Sequence, residues 1–425
     1  MKRIKVSHDY IIYSDDERKS TLECLEKGDS SIFVGNTINR FEQKLKDYLK
    51  VSYAVATPNC TLSIYAALQV LGIKKDDEVL VPNITHASSI YPIIMSGGKI
   101  KVFDFKPNSY YYDIDSIKEL ITSKTKFLLV CYLYGMPLNI NDIKRICDEN
   151  NIILIEDVAQ AFGTKINGRY AGTFGKIGCY SFNDTKLLRI GEGGAIVTYD
   201  KNIYKKLISF RHVGEIFNST KESSVDTKTT YGDLLFNGLS NMGRGLNLRP
   251  SPIAFATGLK RIDRINSFLL ERRKKLQIYI KKISNIEGLS FINNFDCEKI
   301  DEYGPIALWI ILDNKKFDRN KIILGSINMG IPIGSFNYNT ISRNNYFKKY
   351  IVNKNNNLPN SQYIRDNSIF LPLYESLSIE DINKICDAFL YVISNYDRDI
   401  KIFDESAYDK KIDYFDGFYL MRNLK

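Results

Sequence analysis

The sequence predicts an α/β protein: a large domain with a mostly parallel sheet covered by helices on both faces, followed by a smaller α+β domain. Three observations predict this. Short, nearly continuous apolar runs, as at 78–82, 127–132 and 152–155, alternate with helical patterns through the first half of the chain. Strands hidden on both faces read this way, and their alternation with helices is the mark of a parallel sheet. After about residue 285 the pattern changes, with short strands such as 307–312 set among helices near 320–329 and 379–394. The chain has 425 residues, 44% of them hydrophobic, which supplies enough apolar side chains for both cores. The expected boundaries are 1–284 for the large domain and 285–396 for the small one, with 397–425 as an appended polar and aromatic tail.

From the N-terminus, residues 15–27 and 37–49 have helical spacing; in the second, Ile38, Phe41, Leu45 and Leu49 lie along one side. A strand over 51–56 turns through Thr57-Pro58-Asn59-Cys60-Thr61 into a helix reaching Leu71. A small-polar turn before a helix leaves backbone N–H groups open to an anion, and is equally the chemistry of an ordinary cap. Pro82 ends a strand over 78–82, and Asn83-Ile84-Thr85-His86-Ala87-Ser88 opens the next helix. Strands follow at 101–105 and 127–132, the latter running into Leu133-Tyr134-Gly135. A helix over 141–150, with Asn141 as its N-cap, leads to an apolar strand at 151–157 that ends in Glu156 and Asp157. Strands at 178–182 and 195–198 flank the stretch from Asn183 to Gly194, and a helix covers 203–215. Polar residues 218–230 form a long loop, a candidate lid or surface insertion. A second glycine-rich turn, Gly243-Arg244-Gly245-Leu246-Asn247-Leu248-Arg249-Pro250, leads into a broken helical stretch over 253–283.

The net charge is +10, but Lys and Arg are interleaved with Asp and Glu and no dense basic helix occurs. That pattern excludes a nucleic-acid-binding face, while a basic surface still attracts an anionic small substrate. Seven cysteines are widely spaced, without a CxxC pair or a Cys/His cluster, so neither a metal site nor a disulfide framework is expected. The first residues carry charges with no apolar run behind them, and no run approaches membrane-spanning length. The expectation is no membrane association and a reducing, cytoplasmic location.

In open α/β sheets, ligands gather beyond the carboxyl ends of the strands. Asp157 ends a strand, Thr61 and His86 follow strands, and Lys186 follows the strand at 178–182. Lysine is rarely buried without a task, and one such task is an imine with an aldehyde, for which the amine must lose its proton readily. Read singly, each residue has a plainer account: a solvated loop lysine, an acid or threonine capping a helix, an isolated histidine. Their convergence on one edge of the sheet points to a site.

The order and spacing of Glu156-Asp157-Val158-Ala159-Gln160-Ala161, then Ser181-Phe182 and Lys186, then Gly191-Glu192-Gly193-Gly194, resemble the DegT/DnrJ/EryC1/StrS family. These are sugar aminotransferases of the aspartate-aminotransferase superfamily, fold type I, which use pyridoxal 5'-phosphate (PLP). The similarity extends from Gly35 and Phe41-Glu42 through Leu133-Tyr134-Gly135, Arg211-His212 and 245–249 to Leu371-Pro372-Leu373. It implies roles residue by residue. Lys186 resembles the lysine that holds the cofactor and moves the substrate proton. Asp157 resembles the carboxylate that pairs with the pyridine nitrogen, which keeps the ring an electron sink. Gln160 resembles the side chain near the ring's 3′ oxygen. Thr61 and Ser181 resemble phosphate ligands, with Cys60 in the same turn, and His86 stands where a residue faces the ring. Asn247 resembles an asparagine that reaches the phosphate from a neighbouring subunit, implying a homodimer with shared active sites. Arg249 and the 218–230 loop are candidates for substrate contact.

The reaction so implied moves an amino group from L-glutamate to the ketone of a nucleotide-linked keto-sugar, for surface polysaccharide or natural-product biosynthesis. The chain departs from the family where Asn59-Cys60-Thr61 replaces Ser-Gly-Thr, where His86 replaces an aromatic residue, where Cys131-Tyr132 replaces a histidine, and at Pro250-Ser251-Pro252. These changes keep an amino-cyclitol or a small phosphorylated ketone open as the acceptor. A sugar dehydratase branch of the family resembles this chain but carries histidine where Lys186 stands, and a non-enzymatic regulatory protein would not need the retained set.

Overall fold

Segments of five residues, and one of seven, with nearly every side chain hidden build the first sheet. A computed structural model describes residues 1–7, 13–214, 243–291, 297–353, 357–398, 412–415 and 418–421. The strands are β1 (Tyr53–Thr57), β2 (Glu78–Pro82), β3 (Lys99–Phe103), β4 (Thr125–Cys131) and β5 (Ile153–Asp157), then, after a small hairpin of β6 (Lys165–Ile166) and β7 (Arg169–Tyr170), β8 (Ile177–Ser181) and β9 (Gly194–Thr198). Their order across the seven-stranded sheet is β1-β9-β8-β5-β4-β2-β3. Neighbours are parallel from β3 to β8, and β9 runs antiparallel to both β8 and β1. The parallel run brings the ends of β4, β5 and β8 to one edge.

Helices α1 (Asp15–Glu26), α2 (Thr37–Leu49), α3 (Cys60–Val70), α4 (Ala87–Met95), α5 (Ile114–Glu119), α6 (Ile140–Glu149), α7 (Lys201–Arg211), α8 (Pro252–Arg261) and α9 (Ile265–Ile283) accompany this sheet. The predicted stripe on α2 is the buried one, Ile38, Phe41, Leu45 and Leu49. Phe41 packs edge-on against Phe182 and Phe255, which joins α2 and α8 to the segment after β8. The break expected in the 253–283 stretch is a short 3-10 turn at Ile262–Arg264.

Beyond it, β10 (Leu289–Phe291), β11 (Ala307–Leu312), β12 (Ile333–Gly334), β13 (Ser368–Pro372), β14 (Ile412–Phe415) and β15 (Phe418–Met421) form a second sheet in the order β10-β11-β13-β12-β15-β14. Helices α10 (Arg319–Asn328), α11 (Pro359–Asn367) and α12 (Ile379–Ser394) accompany it. Within 397–425, expected as an appended tail, β14 and β15 continue this sheet, and β15 pairs with β12.

Two local expectations shift. Asn141 lies inside α6; the cap position is Asn139, whose side chain is spent on the backbone N–H and C=O of Tyr112. The strand expected at 101–105 begins at Lys99, because Lys101 is taken inside as half of a pair with Glu78 at 2.8 Å. Asp104 then leaves the strand and accepts from the N–H groups of Asn360 and Ser361. The 218–230 loop lies outside the described residues. Among those residues, no helix is long and apolar enough to cross a membrane.

Two carboxylates, Glu42 buried and Glu375 partly buried, join separate elements. Glu42 on α2 accepts from Ala56 N–H at 2.8 Å and from Arg211 on α7 at 2.6 Å, which ties both helices to β1. Glu375, just after β13, meets Arg189, Arg261 at 2.9 Å and Arg272 at 3.3 Å. Burial, with Arg189 close by, lowers the Arg261 guanidinium to about 9. Removing the carboxylate would leave three guanidinium groups, each at most 4% exposed, facing one another. Breaking a buried pair from one side costs about 3–5 kcal/mol. Glu375→Ala should therefore lose stability of that order in urea unfolding, and a change below 1 kcal/mol (the range of exposed pairs) would contradict this reading of the cluster.

Candidate active site

β5 ends in two acids with different surroundings. Glu156 is fully buried; its carboxylate accepts from Tyr132 OH at 2.7 Å, Gly172 N–H at 2.8 Å, Phe174 N–H at 2.7 Å and Gly175 N–H at 2.5 Å. Burial pushes its carboxyl up while these donors pull it down. Asp157 faces Cys131 of β4 and Cys179 of β8 in register. Its Oδ1 accepts from Ala159 N–H at 3.0 Å, and its Oδ2 accepts from Ser89 Oγ at 2.7 Å. Cys60 Sγ lies 3.7 Å from Oδ1 and Cys131 Sγ 3.9 Å from Oδ2. Burial, reinforced by the Asp157 charge, pushes the thiols of Cys60, Cys131 and Cys179 well up, so they stay protonated and unreactive.

The turn between β1 and α3 forms the second part. Asn59 caps α3, its Oδ1 accepting from Leu62 N–H at 2.9 Å and its carbonyl from Ser63 N–H at 3.0 Å. The N–H groups of Cys60 and Thr61 are then left without an intrahelical partner. Cys60 begins α3 and is not among the positive-φ residues, so its backbone tolerates a side chain. Glycine is needed opposite. Gly194 pairs with Thr57 and with Ser181, and a Cβ there would meet the Asn59 carbonyl carbon at 2.5 Å and Cys60 N at 2.8 Å.

The third part is the stretch between β8 and β9. Phe182 N–H donates to Gly193 O at 2.8 Å, Ile190 N–H to Phe182 O at 2.8 Å and Asp184 N–H to Gly191 O at 3.0 Å. Asp184 also accepts from Gly191 N–H and from Tyr13 OH. Gly191 takes a φ of 88°, the left-handed region that glycine adopts without strain. Arg261 of the Glu375 cluster donates to Leu187 O at 3.1 Å. The loop carrying Lys186 is thus closed on itself and fastened to its surroundings.

One cavity of about 500 Å³ brings together Lys186, Asp157, Gln160, Ser181, Thr61, Cys60 and His86. Gln160 Oε1 accepts from Tyr134 N–H at 3.1 Å, which leaves Nε2 to donate into the cavity. His86 caps α4, with Nδ1 accepting from Ser88 N–H, and its ring meets Tyr338 edge-on at 5.8 Å. Asn183, Thr185, Glu192, Asn337 and Tyr338 complete a polar mouth. The sequence alone did not single out Ser89 or Tyr338; no motif marks them, and only the fold brings them to Asp157 and His86.

Asn247 and Arg249 do not join this cavity. Asn247 is exposed and pairs in an isolated bridge with His212, and the Arg249 guanidinium lies 5.2 Å from the centre of the Phe33 ring. His212 is fully buried, 5.4 Å from the same ring. Among the described residues, no group of side chains could hold a metal ion.

An anion-accepting helix start with two hydroxyls, a hydrogen-bonded carboxylate and a primary amine in one cavity fit a phosphorylated pyridine aldehyde such as PLP. A mostly parallel α/β sheet with this set beyond its strand ends is the arrangement of a fold-type I aminotransferase. The chain belongs to the DegT/DnrJ/EryC1/StrS aminotransferase family, whose model matches residues 13–390. It is 29% identical over 372 residues to GDP-perosamine synthase of Escherichia coli O157:H7, covering 88% of this chain and 94% of that protein. It is 27% identical over 370 residues to GDP-4-keto-6-deoxy-D-mannose 3-dehydratase of Escherichia coli O55:H7, covering 84% of this chain and 92% of that protein. Its fold matches a solved structure of the E. coli dehydratase with bound hydrated PLP at a TM-score of 0.81 and 24% identity, covering 91% of this chain and all of that one.

Burial, followed by the nearby Arg211 and Arg249 charges, lowers His212 to about 3. Below the ordinary imidazole value the unfolded chain takes up a proton that the folded chain refuses, so this contribution to stability falls as the pH drops from about 6.5 toward 3. Its slope reaches at most about 1.4 kcal/mol per pH unit. His212→Gln should flatten the wild-type stability profile between pH 6 and pH 4 in denaturant titrations (the window set by the unfolded imidazole); parallel profiles would contradict the assignment.

Proposed function

We propose that this chain uses PLP to transfer an amino group, with L-glutamate as donor, to the ketone of a nucleotide-linked keto-sugar. The observation that carries the reading is the single cavity holding Lys186, Asp157, Gln160 and the start of α3. The cofactor, when bound, supplies an aldehyde that captures the amine and a ring that withdraws electrons from the reacting carbon. Lys186 would hold that aldehyde at rest; released, its amine would carry a proton from the donor's α-carbon to the former aldehyde carbon, and in the second half of the reaction from that carbon to the acceptor's former ketone carbon. Asp157 pairs with the ring nitrogen. The N–H groups of Cys60 and Thr61, with the hydroxyls of Thr61 and Ser181, hold the phosphate. Gln160 would offer Nε2 to the ring oxygen, and His86 would contribute its ring to the wall beside the cofactor.

Amine transfer needs the primary amine that Lys186 carries, which supports it over dehydration. The nucleotide-sugar names of the relatives support a keto-sugar acceptor, as does the mouth of amide and hydroxyl groups formed by Asn183, Thr185 and Asn337. In this reading residues 1–284 form the cofactor domain and 285–396 a smaller domain that contributes Tyr338 to the mouth. The buried free thiols Cys24, Cys60, Cys131, Cys147, Cys179 and Cys386 support a reducing, cytoplasmic setting. The exposed Asn247, away from the cavity of its own chain, supports a homodimer in which this residue serves the neighbouring site, with Arg249 beside it at the substrate entrance.

Lys186→Ala should abolish the visible band of the bound cofactor and slow amine release from L-glutamate by roughly 10³-fold, within the range for a lost general base. Wild-type rates in that variant would overturn the mechanism. Nucleotide keto-sugars, inososes and triose phosphates assayed side by side should give turnover with the first; turnover confined to the last would overturn the acceptor assignment. Mixing inactive Lys186→Ala with an Asn247→Ala variant should restore activity if each site draws on both subunits. No recovery after subunit exchange would overturn the shared site.

A further inference from the structure

Serine in the first turn of a helix ordinarily caps the backbone or bonds back to a carbonyl one turn earlier. Ser96, at the other end of α4, does the latter, donating to Pro92 O at 2.7 Å. Ser89 does neither. Its hydroxyl crosses from α4 to β5 and donates to Asp157 Oδ2 at 2.7 Å, with Ser89 1% and Asp157 7% exposed. Behind it, Thr85 Oγ1 lies 3.0 Å from Ser89 Oγ and 3.0 Å from Cys131 Sγ.

We infer that Ser89 is a positioning residue for Asp157, fixing the plane in which the carboxylate meets the ring nitrogen; this rests on the cofactor reading above. A carboxylate turns about one bond, so a single hydrogen bond leaves its plane loosely set. Here each oxygen has its own close donor. Ala159 N–H holds Oδ1 from the chain just after β5, and Ser89 holds Oδ2 from a separate helix. The thiols of Cys60 and Cys131, at 3.7 and 3.9 Å, are weak donors and do not replace either bond. The same turn of α4 carries His86 into the cavity wall. One helical turn thereby sets both the wall and the carboxylate, and geometry held this tightly is what a preorganised site requires.

The test uses full-length protein loaded with PLP. Ser89→Ala should lower kcat roughly tenfold while the acceptor KM stays within about twofold, as for a lost hydrogen bond to a charged group that does not touch substrate. It should also move the pH midpoint of the bound cofactor's visible band and weaken PLP affinity. Ser89→Thr, which keeps the hydroxyl, should restore all three. Should the alanine variant not fold, Ser89→Cys, with a weaker donor of similar size, should fall between the two. Wild-type kcat and an unmoved midpoint in the alanine variant, or in the cysteine variant, would overturn the inference. A wild-type chain with no cofactor band at all would overturn the cofactor reading and this inference with it; a normal wild-type band that neither variant alters overturns this inference alone.

Discussion

A buried strand that ends in two acids obliges its neighbours to supply hydrogens. Unpaired carboxylates beneath a sheet edge would cost several kcal/mol each. Glu156 is answered by Tyr132 and by three backbone N–H groups from the turn at 172–175. The turn can reach because Gly178 has no side chain; a Cβ there would meet Gly172 O at 2.1 Å. Asp157 is answered by Ser89 and Ala159. The two acids therefore have opposite uses. Glu156 is enclosed by donors and organises the fold, while Asp157 keeps an edge toward the cavity. Tyr132 belongs to the first of these uses.

The second constraint is mechanical. Lys186 sits on a loop, and a loop lysine would wander unless its backbone were fixed from several sides. Internal ladder bonds close the loop, Tyr13 reaches Asp184 from the N-terminal segment, and Arg261 takes the carbonyl of Leu187. Arg261 and Arg189 converge with Arg272 on Glu375, which follows β13 of the second sheet. The position of the amine is thus referred to both sheets, and a displacement of the second sheet would be felt at the base of the lysine loop.

The sequence made the alternation of strands and helices legible because both-faces burial leaves an unmistakable apolar run, as at β2, β4 and β5. It also located Lys186, Asp157, Gln160, Ser181, Thr61, Cys60 and His86, which the structure gathers in one cavity. Asp157, Thr61, His86 and Lys186 stand out at or beyond strand ends, where periodicity stops, whereas Gln160, Ser181 and Cys60 were legible only through the family resemblance. The misplaced cap at Asn141 has a different origin: two asparagines lie close together, and only the fold reveals that Asn139 is engaged by Tyr112. Ser89 was illegible for the same reason. A serine in a helical turn has a local explanation in every sequence, and its partner here is 68 positions away in the chain. The strands at 412–415 and 418–421 read as polar and aromatic tail because their runs are short and mix charged with aromatic residues.

The departures from the family pattern can now be sorted by what they touch. Cys60, where the family resemblance implies glycine, starts a helix whose backbone accepts a side chain, so the N–H groups of the turn stay in place. Its thiol, driven up by burial beside Asp157, stays protonated and does not compete with Lys186 for an aldehyde. Cys131 falls under the same argument. His86 is different: it caps α4, its Nδ1 accepting from Ser88 N–H, and its ring meets that of Tyr338, which follows β12. An imidazole there offers a hydrogen-bonding edge where a phenyl ring offers none. Cys60 and Cys131 thus lie beside the Asp157 carboxylate with protonated thiols, whereas His86 brings a ring that can hydrogen-bond to the wall of the same cavity.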